Sequence, residues 1–177
     1  MEEIVVENLE TRSKEYVLDE IMKQYGQEIL QLTYSYVKNR TVAEDLTQEI
    51  FVKCYRSLHT YNQRAKLRTW LWRIAINHCK DYLRSWYNKH VVVTEHESET
   101  IGTSKETVEQ AVIKMDEDEK LAYEVMNLPD NYREIIYLFY FEEMRLKDIA
   151  EVTGVNENTL KSRLKRAKEL LKVRLEE

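Results

Sequence analysis

The chain has 177 residues, enough for one ordinary domain or two small ones, and its three glycines and single proline exclude a turn-rich all-β fold. Its net charge of −5 would disfavour a nucleic-acid partner if it were spread evenly. It is not: residues 1–19 carry net −4, residues 20–90 net +6, residues 91–118 net −6 and residues 119–177 net −1, and local patches set the field that a phosphate backbone meets.

Residues 1–19 form an acidic extension. A first helical block follows, from about Leu18 to Asn88. Ile21, Tyr25, Ile29, Leu32 and Tyr36 recur at spacings of four and three, the mark of an amphipathic helix. Thr41 is placed to cap a second helix, with Glu44 near its positive end. His59 to Arg68 reads as a loop, and Thr69 as the start of a third helix running to about Tyr87. Residues 91–118 are rich in like charges and poor in apolar groups. Such a segment buries too little surface to offset its ordering entropy, so it reads as a flexible acidic linker, with a short helix near Val108 to Met115. The second block begins near Glu119. Leu128-Pro129-Asp130 opens a helix through about Phe141, a shorter one spans Leu146 to Thr153, and the last runs from Glu157 to about Leu175. The expected fold is all-α, two small helical domains (20–90 and 119–177) with sparse contacts between them.

Leu146 to Leu160 has the spacing of a helix-turn-helix. Ala150 is small where two helices cross, Gly154 permits the turn, and Leu160 points back into the crossing among Ile149, Val152, Val155 and Leu164. On the last helix, at about 100° per residue, Leu160, Leu164, Ala167, Leu171 and Leu175 share one stripe. Asn158, Lys161, Ser162, Lys165, Arg166 and Lys168 face the other way. Residues 159–174 hold seven basic side chains and one acidic. Such a helix fits the major groove, where Lys and Arg read guanine or neutralise phosphate and Asn and Ser read bases or fix register.

Two faces stand out in the first block. Leu46, Ile50, Phe51, Cys54 and Leu58 make the buried side of the second helix; Asp45, Gln48, Glu49, Val52 and Arg56 lie opposite. Val52 is apolar among polar neighbours, and an apolar centre within a charged rim suits protein docking as well as an ordinary solvated face. On the third helix Leu71, Ala75, Cys79 and Leu83 turn inward, while Arg73, Asn77, Lys80 and Arg84 form a basic stripe bordered by Trp70. The preceding loop adds His59, Tyr61, Arg64, Lys66 and Arg68. Basic groups interleaved with aromatics suit single-stranded DNA; Trp70 and Trp72 equally suit a core, Trp72 more so.

Three stretches carry a family resemblance. Ala43-Glu-Asp-Leu-Thr-Gln-Glu-Ile-Phe-Val-Lys53, Thr69-Trp-Leu-Trp-Arg-Ile-Ala-Ile-Asn77, and Leu128-Pro-Asp-Asn-Tyr-Arg133 with Asp148-Ile-Ala-Glu and Thr159-Leu-Lys-Ser-Arg-Leu-Lys-Arg-Ala167 together resemble extracytoplasmic-function (ECF) sigma factors of bacterial RNA polymerase, in order and spacing. The resemblance implies that Asp45, Gln48, Glu49, Val52 and Arg56 dock on core polymerase. It implies that the His59–Arg68 loop, with Tyr61, Arg64, Lys66 and Arg68, holds a flipped minus-ten base, and that Trp70, Arg73, Asn77, Lys80 and Arg84 serve the same element. Asn158, Thr159, Lys161, Ser162, Arg163, Lys165 and Arg166 would meet duplex minus-thirty-five DNA. Leu160 stands where Val is commoner, and Asn156-Glu-Asn158 where small residues are frequent. A membrane-anchored anti-sigma factor is the implied inhibitor, since no self-inhibiting domain is evident, with the acidic N-terminus folded over the basic stripe at Arg73 to Arg84 as the internal alternative, and a stress response the implied setting.

The alternative is a stand-alone helix-turn-helix regulator that binds duplex DNA without polymerase. An enzyme is disfavoured. No Gly-rich phosphate loop, His-Glu zinc pattern or nucleophile elbow occurs, and His59, His78, His90 and His96 lack metal-ligand spacing. No catalytic residue, metal, cofactor or small-molecule substrate is assigned. Cys54 and Cys79 form no CxxC and read as buried, inert thiols. With no membrane-length apolar run and no signal-peptide pattern, the expected location is the cytoplasm.

Overall fold

The computed structural model describes residues 13–93 and 117–176. Residues 94–116 of the expected 91–118 linker, with the helix expected near Val108 to Met115, lie outside the described residues, while the ends of that linker, 91–93 and 117–118, are helical.

Helix α1 spans Lys14–Val37, and Ser13 caps it by accepting from the Tyr16 amide. It therefore starts inside the segment read as an acidic extension. The reason is local: Val17 continues the apolar stripe back one turn and is buried with Ile21, Tyr25, Ile29, Leu32 and Tyr36. Lys38 ends α1 in the left-handed conformation, and α2 (Arg40–Ser57) follows at once, capped by Asn39, whose Oδ1 accepts from the Val42 amide. The expected cap, Thr41, is instead an exposed residue of the first turn. Asn is at least as good a cap, and a two-residue connection leaves room for only that one.

After α2, Leu58–Thr60 form a 3₁₀ turn, and α3 spans Leu67–Val93. The expected loop is thus shorter at both ends. Leu67 is buried and drives the earlier start. In the second block, α4 (Glu117–Met126) had no counterpart among the expected helices. Helix α5 (Asp130–Ile136) runs into a π-turn over Tyr137–Phe141, and α6 (Leu146–Thr153) and α7 (Glu157–Glu176) complete the fold. Gly154, at φ 73°, ends α6 in the left-handed region, where a side chain is strained.

The two blocks are not loosely tethered. Buried side chains from Val17 to Leu171 form one continuous cluster through both, and α3 packs on α6 while α1 packs on α5. Arg133, only 3% exposed, ties them. It donates to the backbone carbonyls of Ser35 (2.6 Å) and Tyr36 (3.5 Å), among the last carbonyls of α1. It also donates to the carbonyls of Met126 and Leu128 and to Asp130. A cation serving otherwise orphaned helix-end carbonyls is a favourable use of both. The expectation of sparse interdomain contacts is therefore corrected.

Candidate nucleic-acid and protein interfaces

On α2 the buried face comprises Ala43, Leu46, Thr47, Ile50, Phe51 and Cys54; Leu58, expected there, is only half-buried. The opposite face holds Asp45, Gln48, Glu49, Val52 and Arg56, all exposed. With Lys53 and His78 of α3 they line one shallow groove of about 550 Å³. His78 Nε2 lies 2.7 Å from Glu49 Oε2, fixing one wall. Val52 is 48% exposed at the centre. The structure thus assembles the polar rim and apolar centre expected of a docking surface.

The basic face of α3 is built around a braced loop. Tyr61 donates its hydroxyl to the Ala65 carbonyl at 2.8 Å, Asn62 Oδ1 accepts from the Arg64 amide, and Gln63 takes a left-handed φ of 59°. Trp70 packs on Tyr61 with centroids 5.3 Å apart. Asn62, Gln63, Arg64 and Lys66 project outward, as does His59. Along α3, Arg73, Asn77 and Arg84 are exposed and Lys80 is half-buried on the same side. Trp72 is fully buried, edge-on to Tyr25.

Three of these basic residues are engaged by carboxylates of the second domain. Arg68, lying over the Trp72 ring at 4.4 Å, donates to Glu142 Oε2 at 2.6 Å, and Trp72 Nε1 donates to the same oxygen at 3.0 Å. Arg73 meets Glu151 at 2.9 Å. Lys80 meets Glu134 at 2.8 Å, and Glu134 also accepts from the Tyr36 hydroxyl at 2.5 Å. Burial raises the Glu142 carboxyl above its ordinary range, against the pull of Arg68, and burial beside Glu134 raises the Tyr36 phenol well above its own.

In the second domain, α6 and α7 cross with Ile149, Val152, Leu160 and Leu164 buried between them and Ala150 half-buried. Arg145 grips Asp148 at 2.9 Å at the start of α6 and holds that carboxyl below its usual range. Asn156 caps α7, its Oδ1 accepting from the Thr159 amide at 2.9 Å, so one of the atypical residues before Thr159 has a structural role. Asn158, Lys161, Ser162, Lys165 and Arg166 are exposed on one side of α7; Thr159 and Arg163 are half-buried. The Ser162 hydroxyl donates to the Asn158 carbonyl, and Arg166 pairs with Glu169. Leu175, expected on the buried stripe, is exposed, although its carbonyl accepts from Lys120 of α4 at 3.3 Å.

Sequence reasoning missed Arg133, Glu134, Glu142 and Glu151 as contact residues. Only Arg133 had a signal, a cation set one turn into a helix beside the apolar pair Ile135 and Ile136.

Residues 21–87 match the sigma-70 region 2 family and residues 118–171 the sigma-70 region 4 family. The chain is 32% identical to the ECF RNA polymerase sigma factor SigM of Bacillus subtilis, over 88% of this chain and 93% of that one. It is 30% identical to SigW of the same organism, over 88% and 87%. Among solved structures, the sigma factor RpoE of Bartonella quintana, in complex with the anti-sigma factor NepR, superposes with a TM-score of 0.72 at 20% identity, over 93% of this chain and 98% of that one. CnrH, in complex with the cytosolic domain of CnrY, gives 0.64 at 21%, over 92% and 89%. These structures share the two-domain helical fold. With both regions matched in chain order and relatives similar from end to end, the chain belongs to the ECF sigma factors of RNA polymerase.

Proposed function

We propose that this sigma factor divides promoter recognition among three faces: the α2 groove docks on core polymerase, the α3 face with its loop takes single-stranded minus-ten DNA, and α7 reads duplex minus-thirty-five DNA. The observation that supports this reading best is the pairing, on one domain, of an exposed polar groove centred on Val52 with a separate basic face carrying the Tyr61–Trp70 aromatic pair. A stand-alone helix-turn-helix regulator needs neither. On this reading the chain contributes recognition and leaves catalysis to the polymerase. Run-off transcription with core polymerase on a genomic library tests it. Discrete start sites that require this chain support the proposal; DNA binding at the same sites without core and no transcription would favour the regulator.

We further infer restraint by a membrane-anchored anti-sigma factor, with release under envelope or other stress. Support comes from the similar structure of RpoE, held by the anti-sigma factor NepR, and from that of CnrH, held by the cytosolic domain of CnrY. Among the described residues no helix is long and apolar enough to cross a membrane. Capture of the full chain from its host should bring down a membrane protein that blocks transcription; capture of none would remove this inference.

A further inference from the structure

We propose that the second domain also acts as an internal inhibitor: Glu134, Glu142 and Glu151 occupy the basic face of α3 where minus-ten DNA would bind, so the free chain holds that face closed while its polymerase groove stays open. The proposal rests on the reading of the α3 face given above.

The three carboxylates stand where phosphate oxygens would stand, 2.6 Å from Arg68, 2.9 Å from Arg73 and 2.8 Å from Lys80. They come from three different elements: Glu134 from α5, Glu142 from the end of the π-turn, Glu151 from α6. No local rearrangement supplies all three, so the domain closes as a body. Arg133 sets the register by entering the C-terminal end of α1. Glu142 is 7% exposed, and the atoms it touches in the first domain, Arg68 and Trp72, are themselves assigned to or beside the DNA face. By contrast Asp45, Gln48, Glu49, Val52 and Arg56 remain exposed, as do Lys161 and Lys165 of α7. The mask is therefore selective: it excludes single-stranded DNA and leaves docking on polymerase free. Residues 94–116 between α3 and α4 give a contour of roughly 75 Å when extended, enough for the domains to part once polymerase holds the first.

The test uses the full chain with Glu142→Lys and Glu151→Lys, which place cations against Arg68 and Arg73 only in the closed arrangement. A control chain with Glu119→Lys and Glu176→Lys carries the same net charge at exposed positions. Dyes at Lys23→Cys and Lys172→Cys report the interdomain distance, and a fluorescent pool of randomised single-stranded 12-mers is the DNA probe. Because apparent affinity scales with the open fraction, the reversed chain should lengthen the distance and bind the probe on the order of 10-fold tighter than wild type, with the control unchanged and the advantage gone once core polymerase is added. Circular dichroism equal to wild type confirms that the reversed chain is folded; if it is not, Glu151→Lys alone, at an exposed pair, should give a smaller change of the same sign. An unchanged distance overturns the proposal, as does a lengthened distance with no gain in probe binding by the free chain when core-bound chains do bind. If no chain binds the probe even on core, the α3 reading fails and the distance alone judges the closure.

Discussion

At the scale of single residues, the proposed contact residues and the buried ones separate cleanly on α2 but not on α3. Val52 is exposed between buried Phe51 and Cys54, and no fold requirement accounts for an apolar side chain there. Glu49→Arg with Val52→Asp should weaken binding to core by about 10-fold or more, equivalent to about 1.4 kcal/mol, while circular dichroism stays unchanged. Unaltered affinity in a core titration would remove the groove from the function. On α7, Lys165→Ala and Arg166→Ala distinguish base from phosphate contact. A residue that reads guanine should cost about 1–3 kcal/mol at the cognate promoter only; one that meets phosphate should cost all sequences alike and flatten the salt dependence. The side chains carrying these predictions were legible because amphipathic spacing exposes them. Burial pushes the Cys54 and Cys79 thiols up to about 12, so neither offers a reactive thiolate at neutral pH. Arg133 stood out in sequence as a cation beside apolar neighbours, but its partners did not, because most of them are backbone carbonyls, which no residue type announces.

At the scale of elements, the helices followed from periodicity and the boundaries from chemistry that periodicity does not contain. Helix α1 reached back to Lys14 because a serine was free to cap it, and α2 began at Arg40 because Asn39 was. The π-turn is the clearest element that pattern could not give. The Glu142 amide donates to the Tyr137 carbonyl at 3.1 Å and the Met144 amide to the Leu138 carbonyl at 3.0 Å, wider closures than the α-helical ladder. Tyr137 and Phe141 stack across it at 5.5 Å. The wider turn shifts the register so that Glu142 faces Arg68, and such turns often accompany functional contacts. Gly154 makes a quantitative case. A Cβ there meets nothing within 4 Å, so only the backbone conformation opposes it. Gly154→Ala should lower stability by about 1–2 kcal/mol, read as a lower thermal midpoint, with Gly154→Asn costing less. Equal midpoints for both would show that the turn relaxes to another conformation.

At the scale of the whole molecule, charge distribution gave the division into two blocks but hid their union. The glutamates that close the structure look, in sequence, like any solvated helix face, and their partners lie 54 to 78 positions away. Only three-dimensional proximity marks them. Within that union Glu142 is a carboxyl whose burial works against its ionisation. Its carboxyl faces the Arg68 guanidinium, the Glu28 carboxylate, the Tyr137 hydroxyl and the Trp72 indole N–H, and burial outweighs the attraction of Arg68. A carboxyl raised in the closed form favours closure while protonated, and that contribution is lost as pH rises out of the ordinary carboxylate range through the raised value. The charged pair thus orients the domains more than it binds them, as expected when desolvation is large. In the dye-labelled chain, the salt concentration that parts the domains should therefore fall, as pH rises out of the ordinary carboxylate range, more steeply for wild type than for Glu142→Gln, which cannot ionise. Comparing the two chains removes the shared effects of the Arg73–Glu151 and Lys80–Glu134 pairs. Parallel pH profiles would place the pH response elsewhere in the interface; a steeper profile for the glutamine chain would mean that the carboxylate, not the acid, is the form that closes the molecule.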